Sequence, residues 1–409
     1  MRTAATARVR PRIVTGWPRA AAAAAALACV ACEREQEGPP PSYTSRDSAG
    51  VEIVESRRCF WGGSVPWTVG DTAQLRIGTV SGEAQYQFAG ISDALRYPDG
   101  RIAVADEGSG QIRIFGADGR HIRSLGRLGD GPAEFRSIRR IMLAQDRLWA
   151  YDTRRAQVFA FDETGALAET RAVQLGGLDA TRIGDVRMLS NGELFGMDGS
   201  SLASGPTPSV VRDTAYIFHL TRTAGAPVIA VPGSWTEHRE IGGSGAVGVQ
   251  PLSPVPSWDA FGLNIYHSAG ERFELMVSDT TGRVRRIARR LESPPVTTEA
   301  DVERWKAPLL AQVPPDQRAM AEEVLAGSVI PASLPVYTAL QVDPSGIVWA
   351  QRYGSEAPEW DVYDSGGGCL GSVRTPAGLI VFEVGSDYVL GAWRDDTGVE
   401  YVQLHALRK

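Results

Sequence analysis

Cysteine is scarce, with four residues in 409. That excludes a disulfide-dense scaffold and a cysteine-rich zinc module. Histidine is nearly as rare. The five histidines stand far apart, with no HxxxH or HExxH spacing, which removes the helical zinc-hydrolase motif. No run of about 18 apolar residues occurs, the length a membrane-crossing helix needs. Positive charge is also short: 42 Lys and Arg face 48 Asp and Glu, for a formal charge of −6. An acidic chain argues against nucleic acid as a partner. A phosphate loop is missing too, because Gly108-Ser109-Gly110 is too short to be one. The nearest approach to a nucleophile elbow, Gly242-Gly243-Ser244-Gly245-Ala246, lacks the final glycine and follows no strand–turn–helix pattern. No metal and no cofactor is expected.

Turn-forming residues, by contrast, are plentiful, with 45 glycines and 25 prolines. Residues 88–135 hold four short β-rich runs: 89–97, 101–106, 111–115 and 121–126. Pro98-Asp99-Gly100 joins the first two and Ala117-Asp118-Gly119 the last two. Asp-Gly between alternating strands is a strong hairpin signal, because both turn positions favour positive φ. The stretch therefore predicts a four-stranded antiparallel meander.

The meander recurs. GRIAVAD (100–106) aligns with DRLWAYD (146–152) and GELFGMD (192–198), placing Asp106, Asp152 and Asp198 at intervals of 46 residues. Four strands per period with hairpin turns predict a β-propeller. The third unit continues with Asn191-Gly192 as a turn and a strand near 214–220. Strands are expected at 260–266, 272–278 and 284–289 in the fourth unit, and at 336–342, 347–352, 360–363 and 370–373 in the fifth. The sixth supplies only three: 379–384, 388–393 and 399–404. Residues 73–77 are left over at the other end and would close the ring as the outer strand of the last blade, removing an exposed edge. Residues 51–54 would lie near that strand. The fold class is thus all-β: a six-bladed propeller over 51–409, closed by an N-terminal strand.

In such a ring the Asp-Gly turns share one face. The blade junctions and second-to-third loops share the other. The long insertions, 199–212, 232–246 and 290–335, all fall on the junction face, where repeat proteins often bind. The longest, with its helical part over 291–335, predicts two helices. Thr298 stands three residues before Asp301, the spacing of a capping box. Asp316 is positioned to cap a second helix over 317–326, ended by Gly327. These helices would either form a lid over the central funnel or pack on the rim.

The candidate ligand-binding residues are Arg127, Asp130, Glu134 and Arg136 in the first junction, Tyr266 and His267 near the inner mouth, and Arg352, Trp393 and Arg394 after second strands. They would orient an anionic or sugar-like molecule. Asp106, Asp152 and Asp198 recur in successive blades, so they read as loop braces rather than catalysts, accepting loop N–H groups. Trp258, Trp349 and Trp360 read as blade packing. Cys59 and Cys369 are the two cysteines of the body, and one bridge between its ends is possible.

Residues 1–31 carry five arginines and no acid, so their removal would take the charge from −6 to −11. Arginines followed by the apolar run 20–31 mark a signal peptide. The run ends in Leu27-Ala28-Cys29-Val30-Ala31-Cys32, which resembles the lipobox of bacterial lipoproteins. The resemblance implies lipidation at Cys32, with Cys29 as the alternative and an ordinary secretory signal as the other reading. Residues 32–50 would be a flexible, proline-stiffened tether. Inner strand, Asp-Gly, Val-Ala-Asp and Ile-Arg-Ile-Phe together resemble NHL-type repeats, and Gly126 to Phe135 is similar to an NHL blade junction. The whole resembles the six-bladed TolB-like group and its exported lipoprotein members. That resemblance implies a membrane-anchored binding module for an unknown small molecule or envelope protein. A hydrolase or lyase with its site in the funnel, or a structural part of an envelope complex, are the alternatives.

Overall fold

The computed structural model describes residues 43–409 apart from 176–177, 200–202, 221–225, 242–243 and 355–356. The signal peptide, Cys29, Cys32 and the tether up to residue 42 lie outside the described residues. Five of the six blades are antiparallel meanders in chain order. Blade one runs Ile91–Arg96, Ile102–Asp106, Gln111–Phe115 and His121–Leu125. Blade two runs Ile138–Ala144, Arg147–Asp152, Gln157–Phe161 and Leu167–Ala172. Blade five runs Tyr337–Val342, Val348–Arg352, Glu359–Tyr363 and Cys369–Arg374. The first strands of the six blades neighbour one another in a closed cycle, so they form the inner wall. Six apolar clusters fill the described body, one at each interface between blades. Second and third strands are apolar on both sides because each blade is covered by a neighbour on either face.

Blade six comprises Ile380–Val384, Tyr388–Arg394 and Glu400–Arg408. Its fourth strand is Thr68–Ile77, antiparallel to Glu400–Arg408 with Val402 opposite Ile77. The six-bladed ring is closed by that N-terminal strand.

Three boundaries differ from the sequence reading. In blade four, residues 260–266 are not one strand. Ser257–Phe261 and Asn264–Ser268 pair across a two-residue turn at Gly262-Leu263, with Gly262 at φ 62°. The turn has no Asp-Gly, so it was invisible as a break. Residues 43–50 are not tether: Tyr43–Ser48 forms a hairpin with Val51–Ser56 through Ala49 and Gly50, both at positive φ. This hairpin does not lie beside the closing strand of blade six. Val51–Ser56 pairs parallel with Val284–Arg290, the outer strand of blade four. Parallel pairing needs a distant partner, and local pattern does not name one.

The N-terminal segment thus runs around the rim, from blade four past blade five to blade six. On the way Cys59 is disulfide-bonded to Cys369 in the outer strand of blade five, with 4.6 Å between Cα atoms and 310 residues between them in sequence. Phe60 N–H donates to the Cys369 carbonyl at 3.1 Å. Trp61 fills the space above Gly371 and packs on Trp67, whose ring lies 6.0 Å from that of buried Trp349.

Two additions rise from the junction face. In blade three, Ser209–His219 and Pro227–Ile241 are long strands that run on past the blade and end in a hairpin with Ser244–Val249. Between blades four and five, α1 (Glu299–Ala311) and α2 (Arg318–Ala326) form the insertion. Thr298 caps α1 in a full capping box with Asp301. Asp316 does not cap α2. It sits in a short 3-10 turn, and Gln317 takes the cap position without a side-chain bond.

Candidate functional site

An inner strand is an edge strand, so its channel-side backbone groups need partners. Here charged side chains supply them. Asp93 accepts the Ile141 N–H of blade two at 2.8 Å, Asp259 the Val342 N–H of blade five at 2.7 Å, and Glu383 the Arg96 N–H of blade one at 2.7 Å. Arg140 forks onto Asp185 at 2.9 and 3.0 Å and reaches Asp93 at 3.3 Å. Arg187 joins Asp185 to Asp259, 2.6 Å from each. Every blade interface but the one between blades five and six is crossed at the axis by one of these named bonds or by the Arg187–Asp259 pair.

Asp93, Arg140, Arg187, Asp259 and Glu383 line an axial cavity of about 250 Å³ together with Gln341 and Phe382. Burial pushes the Asp93 and Glu383 carboxyls up. Asp185 feels the same burial, but the two guanidiniums of Arg140 and Arg187 outweigh it and hold its carboxyl well below the usual range. All eight oxygens of Asp93, Asp185, Asp259 and Glu383 accept a donor. The arrangement is therefore a clasp between blades, and it leaves room at the axis for a few small polar groups or waters.

Sequence reasoning missed this set. A signal exists: Asp93, Arg140 and Asp185 stand 13, 12 and 13 residues before Asp106, Asp152 and Asp198. A charge recurring in an apolar strand is costly unless its partners lie in other blades.

The structure does not bring the nine predicted ligand residues together. Arg127 pairs with Glu134 at 2.7 Å and Arg136 with Asp130, both within the first junction. Glu134 also accepts the Gly131 N–H at 2.7 Å. Arg394 pairs with Glu400. Trp393 packs on Tyr401, with Arg76 over its ring at 5.1 Å. Tyr266 is in the core between blades four and five. His267 is buried, its Nε2 3.1 Å from Ser278 Oγ, and burial pushes its imidazole down to about 4. Neither is at the mouth, because the hairpin turn at Gly262-Leu263 puts them on a second strand rather than an inner one.

Arg352 belongs to a different network. It donates to Asp361 Oδ1 at 2.7 Å, as does Ser372 at 3.1 Å. Arg290 and Tyr337 donate to Asp361 Oδ2 at 2.6 and 2.9 Å. Arg290 and Tyr337 flank the helical insertion, so one fully buried carboxylate ties both of its roots. Of the three repeated aspartates, Asp106 and Asp152 hold loops, while Asp198 bonds to the strand Ser209–His219. Asp106 accepts the Ala89 N–H at 3.0 Å and pairs with Arg113 at 2.7 Å. Asp152 accepts the Arg136 and Arg155 N–H groups at 2.6 and 3.0 Å, and Asp198 the Tyr216 N–H at 2.6 Å.

The insertion is docked on the blade-three arm. Arg239 donates to the Val324 carbonyl at 2.7 Å, Gln250 to the Val329 carbonyl at 3.0 Å, and Val329 N–H to Glu237 at 2.8 Å. Between arm and helices runs a groove of about 230 Å³ lined by Val247, Val249, Trp305 and Leu325. Neither helix has a fully buried residue, and Leu309, Met320, Val247, Val249 and Val329 are exposed. Among the described residues no three His, Cys, Asp or Glu side chains gather as a metal site, and no helix is long and apolar enough to cross a membrane.

Comparison with known families agrees on architecture. Residues 87–181, blades one and two with their first junction, match a family described as a 6-bladed beta-propeller. No curated protein matches the sequence. Among solved structures, a candidate exported protein of Bacteroides fragilis is similar over 83% of this chain and 97% of its own, at 9% identity and a TM-score of 0.46. Virginiamycin B lyase of Staphylococcus aureus is similar over 84% and 100%, at 9% identity and 0.40. A gluconolactonase of Xanthomonas campestris is similar over 83% and 100%, at 12% identity and 0.41. At these distances no activity transfers.

Proposed function

We propose that the chain is exported, lipidated at Cys32, and works as an extracytoplasmic binding module whose partner, an envelope protein or a small molecule, docks on the junction face. One observation carries the binding reading. The arm and the insertion hold apolar side chains around a groove without burying them, while the axial charges are already spent on one another. Exposed apolar surface on a built support is what a partner would cover. The export reading rests on residues 1–31, and a long-range disulfide is in keeping with an oxidising compartment.

A photo-crosslinking residue placed at Met320 or Val247 in cells tests the docking face. A discrete adduct from both, and none from Asp118 on the opposite face, supports the proposal. Adducts no stronger from the junction face than from Asp118 would sink it. Loss of lipid labelling in Cys32→Ser is expected. Loss in Cys29→Ser alone would move the anchor there.

A hydrolase or lyase is the second reading, and one feature favours it. Glu383 faces the axial cavity with its carboxyl raised by burial and Tyr388 O–H on Oε1 at 2.5 Å. A carboxyl whose pKa is raised by burial leans toward the role of a general acid.

A further inference from the structure

A cavity larger than the two already described lies on the other face. It is a cleft of about 400 Å³ between blades one and two, among the Asp-Gly turns. Its floor is apolar, made by Ile114, Leu125, Leu148 and Phe161, all buried. One of the turns beside the cleft is tight. Five residues join the first two strands in blade one and in blade three, but only Gln145 and Asp146 do so in blade two. Both adopt positive φ, 53° and 56°, though neither is glycine. That conformation costs about 1–2 kcal/mol per residue.

Two polar groups at the cleft have unspent capacity. Arg123 donates to the carbonyls of Thr164 and Glu163. Unlike Arg101, paired with Asp99, and Arg147, paired with Glu169, it has no carboxylate partner among the described residues. Tyr97 is half-buried at the rim, and its hydroxyl has no hydrogen-bond partner among the described residues. Asp99, Asp146, Asp162 and Glu163 also line the cleft; Asp99 is held by Arg101 and Asp162 by the N–H groups of its own turn, so the place for an amphiphilic anion is at Arg123 and the free Tyr97 O–H above the apolar floor.

We infer that this cleft is a second binding site, distinct from the junction face, for a compact amphiphilic anion. Its ring or short acyl body lies on Ile114, Leu125, Leu148 and Phe161, and its carboxylate or sulfonate meets Arg123 and Tyr97. The volume falls within the ordinary range for small-molecule sites.

The probe is 8-anilinonaphthalene-1-sulfonate, titrated by fluorescence into the full chain, with the neutral N-phenyl-1-naphthylamine alongside. Saturable one-to-one binding of the anion is expected. Arg123→Gln should weaken it about tenfold and Tyr97→Phe about threefold, with the neutral dye held within about twofold in at least one of the two variants. Tyr97→Phe guards against a folding defect, since Arg123 also clamps the 162–165 turn. Selective loss of the anion in either variant sustains the site. Non-saturable binding, or no variant with a loss confined to the anion, overturns it.

Discussion

His267 is an imidazole kept from water, with its pKa pushed from 6.5 down to about 4 by burial. Its folded form stays neutral while the unfolded chain takes a proton. The unfolded state therefore binds more protons between pH 6.5 and 4, and stability falls as the pH falls through that window. Going from pH 7 to pH 5 should cost about 2 kcal/mol from this residue. Urea denaturation of His267→Gln at the two pH values checks it. The variant should lose less stability on acidification than the parent, and an equal loss in both would exclude the assignment. Asp106 and Arg113 show the other side of burial. Their side chains are 0% and 5% exposed, and Arg113 also donates to the carbonyls of Ala84, Gln85 and Gln87. Such a pair is held by its several hydrogen bonds more than by its charge, although the Arg113 Nε–H has no partner among the described residues.

The insertion is the element whose attachment is most economical. Thr298 and Asp301 start α1, while Asp361 fastens the chain where it leaves blade four and where it returns to blade five. Asp361→Asn keeps the shape but removes the charge that faces Arg290 and Arg352. Hydrogen exchange in 299–326 should quicken markedly, and the global unfolding midpoint should fall by an amount set by about 3–5 kcal/mol. Exchange unchanged in the insertion would show that the arm alone anchors it.

Elements were legible in proportion to how local their causes are. The Thr298–Asp301 spacing gives a helix start that any reader can find. The Asp-Gly turns of blade one do the same for its strands. Gly262-Leu263 carries no such mark, and blade four was divided wrongly there. Five further turns share a device that local reading could have caught. Asp162, Asp279, Asp343, Asp364 and Asp395 each accept the N–H groups two and four residues on, with a positive-φ glycine at the third place. The axial clasp is different in kind. Asp259 and Val342, or Glu383 and Arg96, are partners only because a ring forms, so nothing adjacent in sequence announces them.

For the molecule as a whole, stability gathers on the sector that the N-terminal strap crosses. The strap covers the outer edge of blade four, is bolted to blade five by the disulfide, and completes blade six. Cys59→Ser with Cys369→Ser should lower unfolding free energy by about 2–5 kcal/mol, read as a lower denaturant midpoint in the double variant. The same result should follow from reduction of the parent. An unchanged midpoint under both treatments would mean that the bridge contributes nothing.

The closing blade also gives the molecule an order in time. Thr68–Ile77 is made early in the body, and its partner Glu400–Arg408 comes after every other described strand. A chain emerging from its amino end must carry the first strand uncommitted while five blades assemble, since no earlier segment can satisfy it. Contacts of such sequence separation make folding slow and leave half-built rings sticky. A chain lacking Glu400–Arg408 would expose two facing edges at once, Tyr388–Arg394 and Thr68–Ile77, so the loss of this one strand reaches the whole ring.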